Sequence, residues 1–238
     1  MTQKNFDLNC DVGEGIGQDD LIMPFLDACS IACGGHAGDG DSMKLAVELA
    51  LTNNVSIGAH PSFPDRDTFG RAMMKISPEH LTESLCSQVA DLAAICKKSG
   101  TNLSHIKIHG ALYNLAAKDE TTTQLILKAL KDYRHLPFLA PDKSVFFELA
   151  ESNGRKVKRE AFADRHYNQD RSLVSRSQQN AVITNPRLAQ AQVSSIVQFG
   201  WVKSINGANV NLNAETFCVH GDNPNAVEIL EALKAIQQ

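Results

Sequence analysis

No stretch of this 238-residue sequence approaches the roughly 18 consecutive apolar residues of a membrane-spanning helix. The opening residues, MTQKNFDLNC, lack the long apolar core and cleavage site of an export signal. Basic runs are missing as well. Lys and Arg number 23 against 27 Asp and Glu, for a net charge of −4, which suits a nucleic-acid backbone poorly. None of the six cysteines (Cys10, Cys29, Cys33, Cys86, Cys96, Cys218) forms a CxxC pair, and most lie in apolar runs. They read as buried reduced thiols of a cytoplasmic protein rather than disulfides or a zinc cluster. No linker rich in Pro, Gly or Ser interrupts the chain and no segment repeats, so residues 1–238 are expected to form one domain. GxxxxGK[ST] is absent, no GxGxxG follows a strand, and there is no GxSxG elbow. A familiar nucleotide-binding loop and a serine hydrolase of the elbow type are thereby excluded.

What is present is an ordinary globular composition, 43% hydrophobic and 21% charged. Short apolar runs alternate with longer amphipathic ones. Strands are expected at 6–10, 30–33, 55–59, 105–109, 137–140, 157–163 and 216–220. Helical spacing fills the intervals. One helix opens near Asp41 and Ser42. Another is capped by Ser77, has Pro78 in its first turn and stops at Gly100. AVIT (181–184) reads as a further strand, and 201–215 is irregular. Strands alternating with helices make βα units around a parallel sheet.

Periodicity alone permits an open doubly wound sheet or a barrel; the polar residues favour the barrel. His36, His60, His109 and His220 fall at strand ends, as do Asp11, Glu14, Asp164, Arg165 and Asp222. An open sheet gathers its chemistry at one crevice, whereas here six strands contribute to a rim. Side-chain phase agrees. Residues two apart share a face of a strand. Asn9 and Asp11 oppose Leu8, Cys10 and Val12; Lys107 and His109 oppose Ile106 and Ile108; Cys218, His220 and Asp222 oppose Phe217 and Val219. Gly34 lies beneath His36 and Gly58 beneath His60, which leaves room below each imidazole. A lysine flanked by isoleucines near a strand end is costly to bury unless it is paired, so Lys107 is a prime functional candidate. Two long polar loops, 60–73 with Arg66 and Arg71 and 162–176 with Arg165 and Arg176, overlook the same rim.

The stretches DLNCDVGEGIG (7–17), IACGGHAGD (31–39), IGAHPSFPD (57–65), IKIHGALYN (106–114), FADRHY (162–167) and CVHGDNP (218–224) resemble the LamB/YcsF family, the family of prokaryotic 5-oxoprolinase A subunits. The resemblance runs nearly end to end. It implies an irregular seven-stranded (β/α) TIM-like barrel, similar to that of polysaccharide deacetylases. It also implies opening of 5-oxo-L-proline to L-glutamate with ATP, in company with 5-oxoprolinase subunits B and C. Ala72, Ile108 and Arg171 depart from the expected pattern, which has arginine, proline and glycine at these places.

Lactam opening needs a base for water, cations for a developing oxyanion and an acid for the departing nitrogen. Asp11, Glu14 and Glu160 are base candidates, Lys107 and Arg159 are candidate cations, and His109 and His220 can move protons. Asn9, Arg71, Arg159, Asp164, Arg165 and Asp222 are candidate substrate contacts, with Arg159 out of phase with Glu160. Asp11, His36 and His60 form a candidate triad for a divalent metal. Two other readings fit the same rim: a stand-alone metal-dependent amidase or deacetylase, and a non-catalytic subunit that binds a carboxylic acid.

Overall fold

The computed structural model describes residues 6–237; the first five residues of the opening stretch lie outside them. The chain begins β1 (Asp7–Val12), α1 (Asp19–Ile22), β2 (Ala28–Ala32), α2 (Gly40–Thr52), β3 (Ser56–His60), α3 (Pro78–Lys98) and β4 (His105–Lys107). It continues α4 (Gly110–Ala116), α5 (Glu120–Ala129), β5 (Phe138–Pro141), α6 (Val145–Ser152), β6 (Val157–Phe162) and α7 (Pro186–Phe199). The last elements are β7 (Trp201–Lys203), β8 (Asn209–Asn211), β9 (Thr216–Cys218) and α8 (Ala226–Lys234). Seven strands close into a parallel barrel in the order β1-β2-β3-β4-β5-β6-β9, with β9 returning to β1. Among the described residues, no helix is long and apolar enough to cross a membrane.

Alternation along the strands builds two environments. Leu8, Cys10 and Val12 of β1, Ile57 and Ala59 of β3, and Ile106 of β4 are buried in the hydrophobic core shared with the helices. Each full burial of a large aliphatic side chain contributes about 1.5–3 kcal/mol. Leu85, Val89 and Leu92 of α3 are inaccessible to solvent in the same core. Truncating one of them, as in Leu92→Ala, costs about 2–5 kcal/mol. The opposite phase carries Asn9, Asp11, Ser30, Lys107 and Glu160 into the barrel, where all are buried.

The helix starts follow from their caps. Ser77 accepts from the His80 N–H at 3.2 Å ahead of Pro78. The cap of α2 is Asp39, earlier than the expected Asp41 or Ser42. Its carboxylate accepts from the Ser42 N–H at 2.8 Å, and the Ser42 hydroxyl accepts from the Asp39 N–H at 2.8 Å. This reciprocal pair satisfies two otherwise orphaned donors, which is why the helix begins sooner. Helix α4 has no side-chain cap; its core contacts come from Leu112, Tyr113 and Ala116.

Two expectations in the last third are corrected. AVIT forms no strand, making only a Val182 bridge to Arg165. Strand β9 already occupies the edge of β6 while pairing on its other side with β1, so no place in the barrel remains. The irregular stretch contains an antiparallel hairpin, β7–β8, outside the barrel. Gly58, expected to leave space under His60, instead makes way for an unanticipated histidine. A Cβ there would lie 2.1 Å from His105 Nε2. His105 fills the space and contacts Ser30 at 3.2 Å and Ser104 at 2.8 Å.

Candidate active site

The C-terminal ends of the strands surround a cavity of about 530 Å³. Glu14 reaches it from the turn after β1, where Gly13 adopts φ +71° and donates its N–H to Asp19 at 2.8 Å. A left-handed φ is open to glycine at little steric cost. His36 comes from the loop between β2 and α2, His60 ends β3, and His109 precedes the first turn of α4. The β3–α3 loop folds over these rings. At its Gly70 a Cβ would sit 2.9 Å from the His36 Cβ and 3.1 Å from the His109 ring.

Three imidazoles and one carboxylate converge here. His36 Nε2 lies 2.9 Å from Glu14 Oε1, His60 Nε2 2.9 Å from His109 Nδ1, and His109 Nδ1 3.6 Å from Glu14 Oε1. The His36 and His109 rings stack with centroids 3.6 Å apart. One ligand atom from each of Glu14, His36, His60 and His109 lies within 4.8 Å of the others, an arrangement able to hold a metal ion. Burial, aided by Asp11, raises the Glu14 carboxyl to about 7. Burial and neighbouring His60 lower His36 to about 2 and push His109 well below the ordinary imidazole range. Burial also works against charge on His60, but Asp11 outweighs it and raises that ring.

Lys107 commands the other side. Its Nζ lies 3.0 Å from Asp11 Oδ1 and 2.9 Å from Glu160 Oε1, with Asn9 Oδ1 at 3.3 Å and Cys218 Sγ at 3.1 Å. Only 2% of the residue is exposed. Burial opposes its charge, yet the carboxylates and Cys218 raise its pKa well above the usual lysine value. Asp11 is correspondingly held well below the carboxylate range, burial being overcome by His60 and Lys107. Tyr113 donates its hydroxyl to Glu160 at 2.8 Å. Asp164 is buried behind His220 and accepts from its Nδ1 at 2.9 Å and from its backbone N–H at 3.1 Å. At the mouth, Asp222 accepts from Arg71 at 2.8 Å and from Arg176 at 2.8 and 3.2 Å, joining two long loops.

Of the residues singled out from sequence, Asp11, Glu14, His60, Lys107, His109, Glu160 and His220 line the cavity, as do Arg71, Arg165 and Asp222. His36 stands behind Glu14. Asn9 is buried below the cavity, donating to Thr216 at 2.8 Å. Asp164 acts through His220. Arg159 does not line the cavity, as its phase against Glu160 foreshadowed; it pairs with Asp142, which does, at 3.3 Å and with Glu215 at 3.4 Å. Arg165 spends donors on the carbonyls of Val174 at 2.6 Å and Ala181 at 3.4 Å, which shape the loop after β6. In that loop Arg171 adopts φ +72°, the left-handed conformation that accounts for the glycine expected at this place. Sequence reasoning passed over Tyr113, although it lies four residues after His109 and so one helical turn along from the strand end. It also gave Arg176 no role.

The profile of the LamB/YcsF family matches residues 6–238. The 5-oxoprolinase A chain of Thermococcus sibiricus is 44% identical over 234 residues, covering 96% of this chain and 92% of that protein. Its counterpart in Bacillus cereus is 42% identical over 236 residues, covering 95% and 92%. The crystal structure of a lactam utilization protein from Thermus thermophilus superposes with a TM-score of 0.89 at 36% identity, covering 98% of this chain and 95% of that one. A family 4 carbohydrate esterase from Streptomyces lividans shares the fold alone, with a TM-score of 0.51 at 10% identity, covering 98% of this chain and 87% of that one. With its barrel and nearly its whole length matched in this way, the chain belongs to the LamB/YcsF family.

Proposed function

We propose that this chain is the lactam-handling component of an ATP-dependent 5-oxoprolinase, working with subunits B and C to convert 5-oxo-L-proline, ATP and water into L-glutamate, ADP and phosphate. The observation that carries the reading is Lys107, buried between Asp11 and Glu160 at a cavity sized for a small molecule. The names borne by its relatives supply the substrate class.

A lactam carbonyl resists attack, and opening the ring to a free amino acid is uphill without ATP. Phosphorylation of the lactam oxygen activates the carbon. One water then adds its hydroxyl to that carbon and supplies a proton to the nitrogen as the C–N bond breaks. A second water releases the phosphoryl group as phosphate. Asp11, kept ionised, orients the attacking water and accepts its proton. Lys107 faces the developing negative charge on oxygen with a preorganised cation. The Asp164 carboxylate fixes a proton on His220 Nδ1, which leaves Nε2 to take up a proton and pass it to the departing nitrogen. Arg71 and Arg176 place positive charge at the mouth, where an anionic substrate enters.

The chain carries no familiar phosphate-binding loop, so phosphorylation falls to the partner subunits. The purified chain is therefore expected neither to hydrolyse ATP nor to form glutamate. Adding B and C should start both activities, coupled to each other. Glutamate formed from ATP and 5-oxoproline by the lone chain would overturn this division of labour. The Glu14 and histidine group favours the rival amidase reading. That reading requires the chain with a divalent metal, and without ATP, to hydrolyse an acetylated or cyclic amide.

A further inference from the structure

We infer that Glu14, His36, His60 and His109 bind one divalent transition-metal ion, and that Asp11 stands beside this set as a charge partner of Lys107 rather than as a ligand. The argument rests on where the imidazole protons must lie. His60 Nδ1 faces the Lys107 carbonyl at 2.8 Å, and His109 Nε2 faces the Phe69 carbonyl at 3.0 Å. A carbonyl only accepts, so both of these nitrogens carry hydrogen. His36 Nδ1 lies 3.0 Å from Ser62 Oγ, whose own hydrogen goes to the Phe63 carbonyl at 2.8 Å, so this nitrogen too is the donor. In the neutral rings the remaining atoms, His36 Nε2, His60 Nε2 and His109 Nδ1, present lone pairs.

Those lone pairs meet one another and Glu14. His60 Nε2 and His109 Nδ1 are 2.9 Å apart, and His36 Nε2 is 2.9 Å from Glu14 Oε1. Acceptors at that distance repel unless positive charge lies between them. Two protons would suffice, or one divalent cation. His36 and His109 are at least nine-tenths buried, which disfavours charge on either ring, and one divalent cation answers all of these contacts at once. A donor set of three imidazole nitrogens and one carboxylate oxygen suits zinc and its neighbours rather than magnesium or calcium. Each ring is held by a partner on its far nitrogen, the arrangement that orients metal-binding histidines. When bound, the ion would supply Lewis acidity beside the reacting carbonyl.

Metal binding is measured on the untagged chain without lactam, ATP or other subunits, so it stands or falls separately from the proposed reaction. After treatment with a chelator, titration calorimetry with Zn²⁺ and the visible absorption of added Co²⁺ should each report one site per chain. Glu14→Gln and His109→Gln should each weaken binding at least about tenfold, and Ser62→Ala, which frees only the far nitrogen of His36, about tenfold. Asp11→Asn should leave stoichiometry and the Co²⁺ spectrum unchanged. Circular dichroism identifies any variant that fails to fold, and Ser62→Ala then serves as the gentler probe. Absence of a stoichiometric site in the wild-type chain would leave the space to protons and overturn the inference. Unchanged affinity in folded Glu14→Gln and His109→Gln, with loss in Asp11→Asn, would overturn the ligand set.

Discussion

Along one side of the rim, Glu14, His36, His60 and His109 bring their ligand atoms within 4.8 Å of one another. Across the cavity, Lys107 sits between the carboxylates of Asp11 and Glu160. Both sides are buried and both are polar, but only on the lysine side does an ammonium sit directly between two carboxylates. Oxygens Asp11 Oδ1 and Glu160 Oε1 lack a hydrogen bond and rely on the Lys107 ammonium alone. The lysine side should therefore be sensitive to loss of any member, in stability as well as in turnover. The imidazole side should respond chiefly to what is added to it. Asp11 belongs to the first and touches the second, 3.3 Å from His60 Nε2.

The harshest way to break this comparison is Lys107→Ala. It strands two buried carboxylates, and losing one partner of a buried pair costs about 3–5 kcal/mol. Coupled glutamate formation by the assembled enzyme should fall at least about a hundredfold, the scale of losing one oxyanion partner. Urea unfolding and steady-state assays measure the two effects, and near-native turnover would reduce Lys107 to a structural role. Tyr113→Phe is milder. It removes one hydrogen bond to Glu160, worth about 1.5–3 kcal/mol for a charged acceptor, and should lower the urea midpoint without unfolding the chain. If stability is unchanged, Glu160 is held by Lys107 alone.

The imidazole side is probed through the turn that carries His36. Asp39→Ala removes the cap of α2 and should lower Tm by roughly 2–4 °C for a chain of this size. A larger loss would mean that this turn is as tightly coupled to the core as the lysine cluster. The smallest effect is expected at the mouth. Asp222→Asn weakens the bridge between Arg71 and Arg176, and partial exposure keeps the stability cost below about 1 kcal/mol. Burial would raise the Asp222 pKa, but Arg176 and Arg71 hold it below the ordinary value. Its contribution is thus present above about pH 4 and disappears as pH falls through the depressed value. Proteolysis of the 165–184 loop should rise both in Asp222→Asn and on acidification of the wild type. Equal resistance in the variant would show that the bridge does not tie the loops together.

The order of strands and helices and the inward phase of Asn9, Asp11 and Lys107 were legible because each depends on local periodicity, and the barrel was legible from polar residues gathered at the ends of six strands. Apolar residues two apart must share the buried face, so the polar set between them must enter the barrel. The same logic separated Arg159 from Glu160. Periodicity assigns a side chain to a face, but it does not say which neighbour will fill the space opposite. His105 occupies the gap at Gly58 because parallel register sets those two residues side by side on β3 and β4. Glu14 and His109 join His36 and His60 only because the turn after β1 and the start of α4 close over the same point. Closure by β9, which shut AVIT out of the sheet, is likewise a matter of which edges remain free. The sequence by itself determined the identity of the rim residues and the face from which each approaches. Only the tertiary structure decided their partners, because close contact between residues far apart in the chain is set by strand register and loop path, and neither leaves a periodic trace.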